Sequence, residues 1–235
     1  MTKPRFTRPA RLAAGRSTRR RAGVAALLAL GLAGASLSAV AIADDISNSL
    51  DTSIDATAEV MPLTVGGANG TTQLYVMPRS GGTPRRLTNS GAIDTEPCFA
   101  PDGRTLYFVS DRGGSPQVYR MPVAGGAAER VTFNGSYNIS PSISPDGRTL
   151  AYITRQGNAF KLQTLDLQSG AVASLTDTTD DESPSFAPNG RLIIYATRSG
   201  GRDVLMTTTL DGKIKARLPS PSADLREPVW GPYGR

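Results

Sequence analysis

The chain has 235 residues, one cysteine and no histidine, and its formal net charge is +6. Without histidine it lacks the commonest general base and the usual imidazole metal ligand, and a single cysteine excludes an intramolecular disulfide. Residues 1–43 hold eight of the 26 basic residues and no acid, so the remainder, with 18 basic and 20 acidic residues, gives no support to nucleic-acid binding.

The amino terminus has the layout of an export signal. A basic region ends in Arg19-Arg20-Arg21, and 22 uncharged residues follow, from Ala22 to Ala43. The small residues of Ala41-Ile42-Ala43 predict cleavage before Asp44, so we assign residues 1–43 to a signal peptide. The alternative is an uncleaved anchor in the inner membrane, since about 20 apolar residues can span a bilayer. The many alanines, glycines and serines make this segment weakly hydrophobic, which favours cleavage.

Residues 44–60 are polar and acidic, and we predict that they form a linker. Short apolar runs begin after them, at Leu63-Thr64-Val65, Gln73–Met77 and Arg85–Thr88. These runs match the later strands of a repeat that becomes clear further along the chain. No Pro-Asp-Gly turn precedes them, so we expect this first unit to lack its first strand.

A repeat organises the rest of the chain. Each copy of the repeat starts with a proline that follows Glu or Ser, and Pro-Asp-Gly or Pro-Asn-Gly comes four residues later. The copies start at Pro97, Pro141 and Pro184, and a truncated copy starts at Pro228. The spacings are 44, 43 and 44 residues, a period typical of repeat architectures. Each repeat has four apolar runs separated by turn residues, and four short strands per ~40–45 residues are typical of a β-propeller blade.

The second run of each repeat is apolar throughout, as in Leu106–Val109, Leu150–Ile153 and Leu192–Tyr195. A sheet with one wet face would alternate apolar and polar residues, so these strands are predicted to be buried on both faces, between stacked blades. A buried strand of an ordinary β-sandwich is the alternative, and the regular period argues against it. We therefore predict an all-β fold: a partial β-propeller over residues 61–235, with about four blade units in an open arc.

Several stretches between about residues 63 and 233 form a characteristic set of motifs: Leu74–Met77, Thr95-Glu96-Pro97, Ser110-Asp111-Arg112, Pro116–Tyr119, Asp181–Ser185, Ala187–Gly190, Lys215–Pro219 and Pro228–Tyr233. These motifs resemble the TolB family, the periplasmic propeller of the Tol–Pal system, whose repeat is of the PD40 type. The Lys-Ala-Arg-Leu-Pro run followed by Trp-Gly-Pro-Tyr is much narrower than the Pro-Asp-Gly turn, which many propellers share.

The resemblance implies a non-enzymatic, periplasmic binding module that contacts a Pal-like lipoprotein through inter-blade loops at one mouth of the propeller. It also implies roles in outer-membrane integrity and in envelope constriction at division. The family's amino-terminal α/β domain and its TolA-binding segment have no counterpart in this sequence, which puts TolA as a partner in doubt. We expect no cofactor and no nucleic-acid partner, and exposed blade faces at the ends of the arc predict self-association.

The segments that enter each first strand are the candidate partner surface, because equivalent loops of a propeller gather at one mouth. The candidate residues are Thr95, Glu96, Tyr137, Asn138, Asp181, Glu182 and Arg226. In the resembling family the Thr-Glu pair before proline belongs to the loop that meets Pal. The alternative is that Glu96 and Glu182 only satisfy backbone donors between blades.

Two other functions stay open at this point. The first is a propeller attached to hydrolytic chemistry, as in some peptidases, against which the missing histidine argues. The second is a shortened TolB copy without function. The acidic run Asp180-Asp181-Glu182 has the oxygen ligands that calcium prefers, although a solvated loop explains it as well. No catalytic residue is assigned, and Cys98 is interpreted as an inert thiol in a first strand.

Overall fold

The structure is a computed structural model that describes residues 60–67, 70–219 and 224–230. The described residues form fifteen β-strands and contain no helix able to span a membrane. The predicted signal peptide and all of the predicted linker except Val60 lie outside the described residues. Val60 is the first residue of a strand.

The strands form four antiparallel sheets in chain order. Sheet 1 contains β1 (Val60–Gly66), β2 (Thr72–Pro78) and β3 (Arg85–Arg86). Sheet 2 contains β4 (Asp94–Phe99), β5 (Thr105–Ser110), β6 (Gln117–Pro122) and β7 (Glu129–Arg130). Sheet 3 contains β8 (Asn138–Ile143), β9 (Thr149–Gln156), β10 (Ala159–Asp166) and β11 (Val172–Ser174). Sheet 4 contains β12 (Glu182–Phe186), β13 (Leu192–Ser199), β14 (Arg202–Thr209) and β15 (Lys215–Arg217).

Sheets 2 to 4 are the three full repeats, each a four-stranded meander, and sheet 1 has three strands, as predicted. The first turn of each repeat has the predicted conformation, since Gly103, Gly147 and Gly190 have φ of 66°, 73° and 67°. Glycine adopts this left-handed conformation without the steric cost that a Cβ brings. In the same turns, the Asp102 and Asp146 carboxylates and the Asn189 amide oxygen accept hydrogen bonds from backbone N–H groups two residues on.

Three apolar layers hold the sheets together, one between each pair of neighbours. Leu74 and Val76 of sheet 1 pack on Leu106 and Phe108 of sheet 2. The next layer joins Tyr107 and Val118 to Leu150, Tyr152 and Leu165, and the third joins Ala151, Ile153 and Leu162 to Phe186, Ile193 and Tyr195. Successive residues of β5 and β9 therefore enter opposite layers, which is why these second strands are apolar throughout.

The sheets follow one another as an arc. Each sheet contacts the next, and β8, a first strand, lies against the neighbouring first strands β4 and β12. In the described part of the chain no Cα atom of a strand in sheet 1 lies within 8 Å of one in sheet 4, so the arc is open. Consistent with this, β1 is only half-buried, whereas its counterparts β5 and β9 are buried along most of their length.

Candidate functional site

The segments that join one sheet to the next lie at a single end of the sheets, which we call the mouth. Residues 87–93, 131–137 and 175–181 form these connections, and they contact the hairpins that join second and third strands. Ile93 N–H donates to the Asp111 carboxylate (2.8 Å), Arg155 N–H donates to Tyr137 O (3.0 Å), and Phe160 N–H donates to Thr179 O (2.8 Å). The Pro-Asp-Gly and Pro-Asn-Gly turns lie at the opposite end.

A buried threonine anchors the start of each connection. In each unit one apolar residue follows the last strand, and the next residue is a buried threonine: Thr88, Thr132 or Thr176. The hydroxyl of each threonine accepts a hydrogen bond from a backbone N–H of the neighbouring strand in the same sheet. The donors are Leu74, Val118 and Leu162, at 2.9, 3.0 and 3.1 Å. Because buried backbone donors need partners, this bond fixes where each connection leaves its sheet.

A buried polar residue anchors the end of each connection, three positions before the proline. Asp94, Asn138 and Asp181 are 0%, 0% and 2% exposed. Asp94 accepts from Ser90 Oγ (2.8 Å) and pairs with Arg112 (2.9 Å). Asn138 Nδ2 donates to Gln117 Oε1 (2.8 Å) and to Asn134 O (2.7 Å). Asp181 accepts from the Thr176 and Thr178 hydroxyls and from Leu162 N–H.

This burial corrects the expectation that Asn138 and Asp181 belong to an exposed rim. Their side chains face the interior, where their hydrogen bonds hold the connections in place. Asp181 uses both carboxylate oxygens for hydrogen bonds inside the protein. Across the described residues no group of three His, Cys, Asp or Glu side chains is placed to hold a metal ion.

The residue before each repeat proline has an unusual backbone conformation. Glu96, Ser140, Ser183 and Glu227 have φ between 51° and 53°, the left-handed region. The three that lie in sheets coincide with a shift of register between first and second strands. Sequence reasoning missed this kink, because a residue before proline is expected to be extended. A further correction follows: Thr95, Glu96, Asn138 and Glu182 are strand residues rather than loop residues.

Glu96 links two neighbouring first strands at this kink. Ser140 N–H donates to Glu96 Oε2 at 2.6 Å, and both residues are half-buried. Burial raises the pKa of the Glu96 carboxyl, and the hydrogen bonds from Ser140 offset part of that rise. Glu96 therefore accepts a hydrogen bond from a backbone donor of the next blade, which is the contact that the alternative interpretation of this residue expects. Thr95, beside it, is half-buried and pairs with Val109.

The remaining predicted residues lie nearer the surface. Tyr137 is half-buried, and its ring meets that of Phe160 edge to face at 6.0 Å. Arg226 is exposed and forms an ion pair with Asp203 of sheet 4, which raises the pKa of Arg226. Glu182 is half-buried in β12, and its charge also contributes to that rise.

One exposed aromatic at the mouth was missed. Phe133 is 72% exposed and lies in the same connection as Tyr137, with the Arg130 guanidinium 5.1 Å from its ring centroid. Its place directly after the buried Thr132 was the available sequence signal, since Asn89 and Asp177 occupy that position in the neighbouring repeats. Aromatic residues and arginine are enriched at protein–protein interfaces, which makes Phe133 and Arg130 candidate contact residues.

Cys98 lies one residue past the kink proline in β4 and is a partly buried free thiol. Burial, followed by the nearby Glu96 charge, raises its pKa to about 12.

The mouth combines a frame of buried polar residues with two aromatic side chains, an arrangement suited to binding another macromolecule.

Comparison with known proteins gives a consistent result. The family model described as "TolB beta propeller domain" matches residues 51–234. The "Tol-Pal system protein TolB" of Bordetella pertussis is 50% identical over 164 residues, which are 69% of this chain and 37% of that protein. TolB of Polaromonas sp. is 64% identical over 67 residues, which are 28% of this chain and 16% of that protein.

Solved structures agree on the fold. TolB from Acinetobacter baumannii is similar with a TM-score of 0.68 and 42% identity, covering 73% of this chain and 43% of that one. A puromycin-hydrolyzing peptidase of Mycobacterium tuberculosis has a TM-score of 0.53 and 16% identity, covering 68% of this chain and 29% of that one, which supports the fold alone. The chain spans about two fifths of the length of the TolB proteins from Bordetella and Acinetobacter.

Proposed function

Because the chain belongs to the TolB β-propeller family, we propose that it is a non-enzymatic protein-binding module of the Tol–Pal type. Its partner is a Pal-like lipoprotein, which it contacts through the mouth, and its cellular role is in envelope integrity and constriction at division. The observation that carries the proposal is the frame at the mouth, in which buried Asp94, Asn138 and Asp181 fix three connections beside Tyr137 and Phe133.

A fixed frame favours binding because little conformational entropy is lost when its partner docks. Tyr137 offers an apolar ring with a polar hydroxyl, and Phe133 offers an exposed ring next to a guanidinium. Both are suited to the centre of an interface. Glu96 acts at this surface chiefly through its hydrogen bond with Ser140 N–H, which joins the kink of β4 to the kink of β8. The connection that contains Tyr137 leads directly into β8. The likeness to peptidases concerns the fold alone, so we propose no hydrolytic function.

Binding to the carboxy-terminal domain of a Pal lipoprotein tests the proposal. An interface residue whose truncation costs about 1–2 kcal/mol weakens binding by roughly 5- to 30-fold when it is replaced by alanine. We expect an effect of this size from each of Tyr137 and Phe133, so replacing both by alanine should weaken binding. Arg104→Ala, in the Pro-Asp-Gly turn at the opposite end, is the matched control and should leave binding unchanged. Equal binding by all variants would contradict the mouth as the contact surface.

The pair Thr95 and Glu96 needs its own variant, because the family resemblance assigns it to the Pal-binding loop. The double variant Thr95→Ala, Glu96→Ala should weaken Pal binding. Unchanged Pal affinity would remove the pair from the partner surface. A parallel loss of thermal stability would support the structural role of Glu96 instead.

We propose that the protein is exported to the periplasm with a signal peptide at residues 1–43, a linker at 44–60 and the propeller from 61 onwards. The basic run and the Ala41-Ile42-Ala43 site support cleavage before Asp44. Amino-terminal sequencing of the periplasmic fraction should begin at Asp44. An intact amino terminus recovered in the inner membrane would support the anchor instead.

Self-association through the ends of the arc is a further part of the proposal. The half-buried β1 at one end supports it, since its counterparts in sheets 2 and 3 are covered. Sedimentation velocity should give a mass that rises with protein concentration. A constant monomer mass across the range would contradict it.

A further inference from the structure

Asn-Gly is the dipeptide in which an asparagine side chain is most easily attacked by the following backbone nitrogen, because glycine has no Cβ to hinder the approach. The chain contains this dipeptide at Asn69-Gly70, Asn134-Gly135 and Asn189-Gly190. Asn69 lies outside the described residues. The other two sites are exposed asparagines whose surroundings differ.

At Asn189-Gly190 both reacting groups are held by hydrogen bonds. Gly190 N–H donates to Ala187 O at 2.8 Å, and the Asn189 amide oxygen accepts from Arg191 N–H at 2.9 Å. These bonds form the turn between β12 and β13. Attack by Gly190 N on the Asn189 side chain requires both of them to open first.

At Asn134-Gly135 the same groups are free. Within the described ranges no hydrogen bond engages the Asn134 side chain or the Gly135 N–H, and Asn134 to Ser136 form an exposed bend. The backbone around them is anchored, since Asn134 O accepts from Asn138 Nδ2 at 2.7 Å. The reactive pair is therefore presented on a fixed loop with its attacking nitrogen unoccupied.

The loop also requires a glycine at position 135. Its φ is +76°, and a Cβ built there would lie 3.2 Å from Thr154 Oγ1, a buried side chain. A larger residue would be strained in conformation and crowded against β9. The geometry that shapes this connection therefore keeps the reactive dipeptide in it.

We propose that Asn134 is a site of spontaneous deamidation at the mouth. Gly135 N loses its proton and attacks Asn134 Cγ, the Cγ–Nδ2 bond breaks, and ammonia leaves, giving a five-membered succinimide. Water then opens the ring. Water that attacks the backbone carbonyl carbon of residue 134 breaks its bond to Gly135 N and leaves that nitrogen bonded to Cγ, which gives isoaspartate. Water that attacks Cγ breaks the Cγ–N bond instead, which restores the normal peptide link and gives aspartate.

Both products change the mouth. Aspartate adds one negative charge to an exposed bend. Isoaspartate also inserts a methylene into the main chain, which displaces Asn134 O from Asn138 Nδ2 and loosens the connection that carries Tyr137. A loss of partner affinity on modification rests on the proposed function, whereas the modification itself does not.

The test is peptide mapping by mass spectrometry of the purified exported protein, incubated at neutral to mildly basic pH. Deamidation at Asn134 should be at least about fivefold faster than at Asn189 in the same sample, because each hydrogen bond that must open costs about 1 kcal/mol. In denaturant the two rates should converge. Equal rates in the folded protein, or faster reaction at Asn189, would overturn the proposal.

Variants and a partner assay complete the test. Asn134→Gln should abolish product at this position, while Ser136→Ala should leave it formed. When a partly modified sample is captured by the Pal domain, the bound fraction should be depleted of isoaspartate at 134. Modification without any capture by Pal would sustain the deamidation site and contradict the proposed function. Capture without depletion would refute the effect of isoaspartate on the mouth.

Discussion

Replacing Glu96 by alanine removes the acceptor of a hydrogen bond between two blades. Ser140 N–H then has no partner at a half-buried position, where leaving a donor unsatisfied costs about 1–3 kcal/mol. Two effects modify that figure. Alanine keeps a Cβ at φ 51°, so the backbone strain is not relieved, while removing a buried carboxylate recovers part of its desolvation cost. We expect a net loss of about 1–2 kcal/mol.

Thermal unfolding measures this loss. For a domain of this size, 1–2 kcal/mol corresponds to a fall in Tm of about 2–8 °C. Glu96→Gln is the matched control, because its amide oxygen still accepts from Ser140 N–H, and it should recover most of the stability. If alanine and glutamine variants unfold at the wild-type temperature, the bond between the kinks of β4 and β8 contributes nothing to stability and the structural role of Glu96 is refuted.

Three further predictions concern pH, a turn and the thiol. Burial raises the pKa of Glu96 in the folded protein above its ordinary value of 4.5. The contribution of this group to stability is therefore complete below pH 4.5 and is lost as the pH rises through the folded pKa. In urea melts, the wild type should lose stability relative to Glu96→Gln over that pH window and should lose no more above it. Gly147→Val should cost about 1–2 kcal/mol, because its φ is +73° in open space, whereas Gly91→Ala, with no positive φ, should be near neutral in the same melts. Cys98, whose pKa is about 12, should resist alkylation at pH 8 until the protein unfolds, and rapid labelling of the folded protein would contradict its assignment as inert.

The repeat made most of the fold predictable. Four strands per unit, the positive φ of Gly103, Gly147 and Gly190, and the double burial of the second strands all follow from turn chemistry and hydrophobic pattern. The three strands of sheet 1 among the described residues were also predictable, because no Pro-Asp-Gly turn precedes Leu63. These features depend on local sequence, which a repeat presents several times.

The candidate site was less predictable, because it depends on contacts between repeats. The sequence places Asp181 in an acidic run that reads as solvated, yet Thr176, Thr178 and Leu162 N–H enclose its carboxylate. Asn138 is buried, and its side-chain amide donates a hydrogen bond to Gln117, a residue 21 positions away. No local rule predicts the left-handed residue before proline, since proline itself favours an extended neighbour. The repetition of that kink in four copies is visible only in the structure.

Hydrogen exchange with and without a Pal carboxy-terminal domain tests the central claim most directly. The claim is that the mouth, rather than the opposite end of the blades, binds the partner. We predict that Pal slows exchange in residues 93–96 and 133–140, while the turns at 101–104 and 145–148 exchange at unchanged rates. Protection of those turns with no change at the mouth would contradict the account.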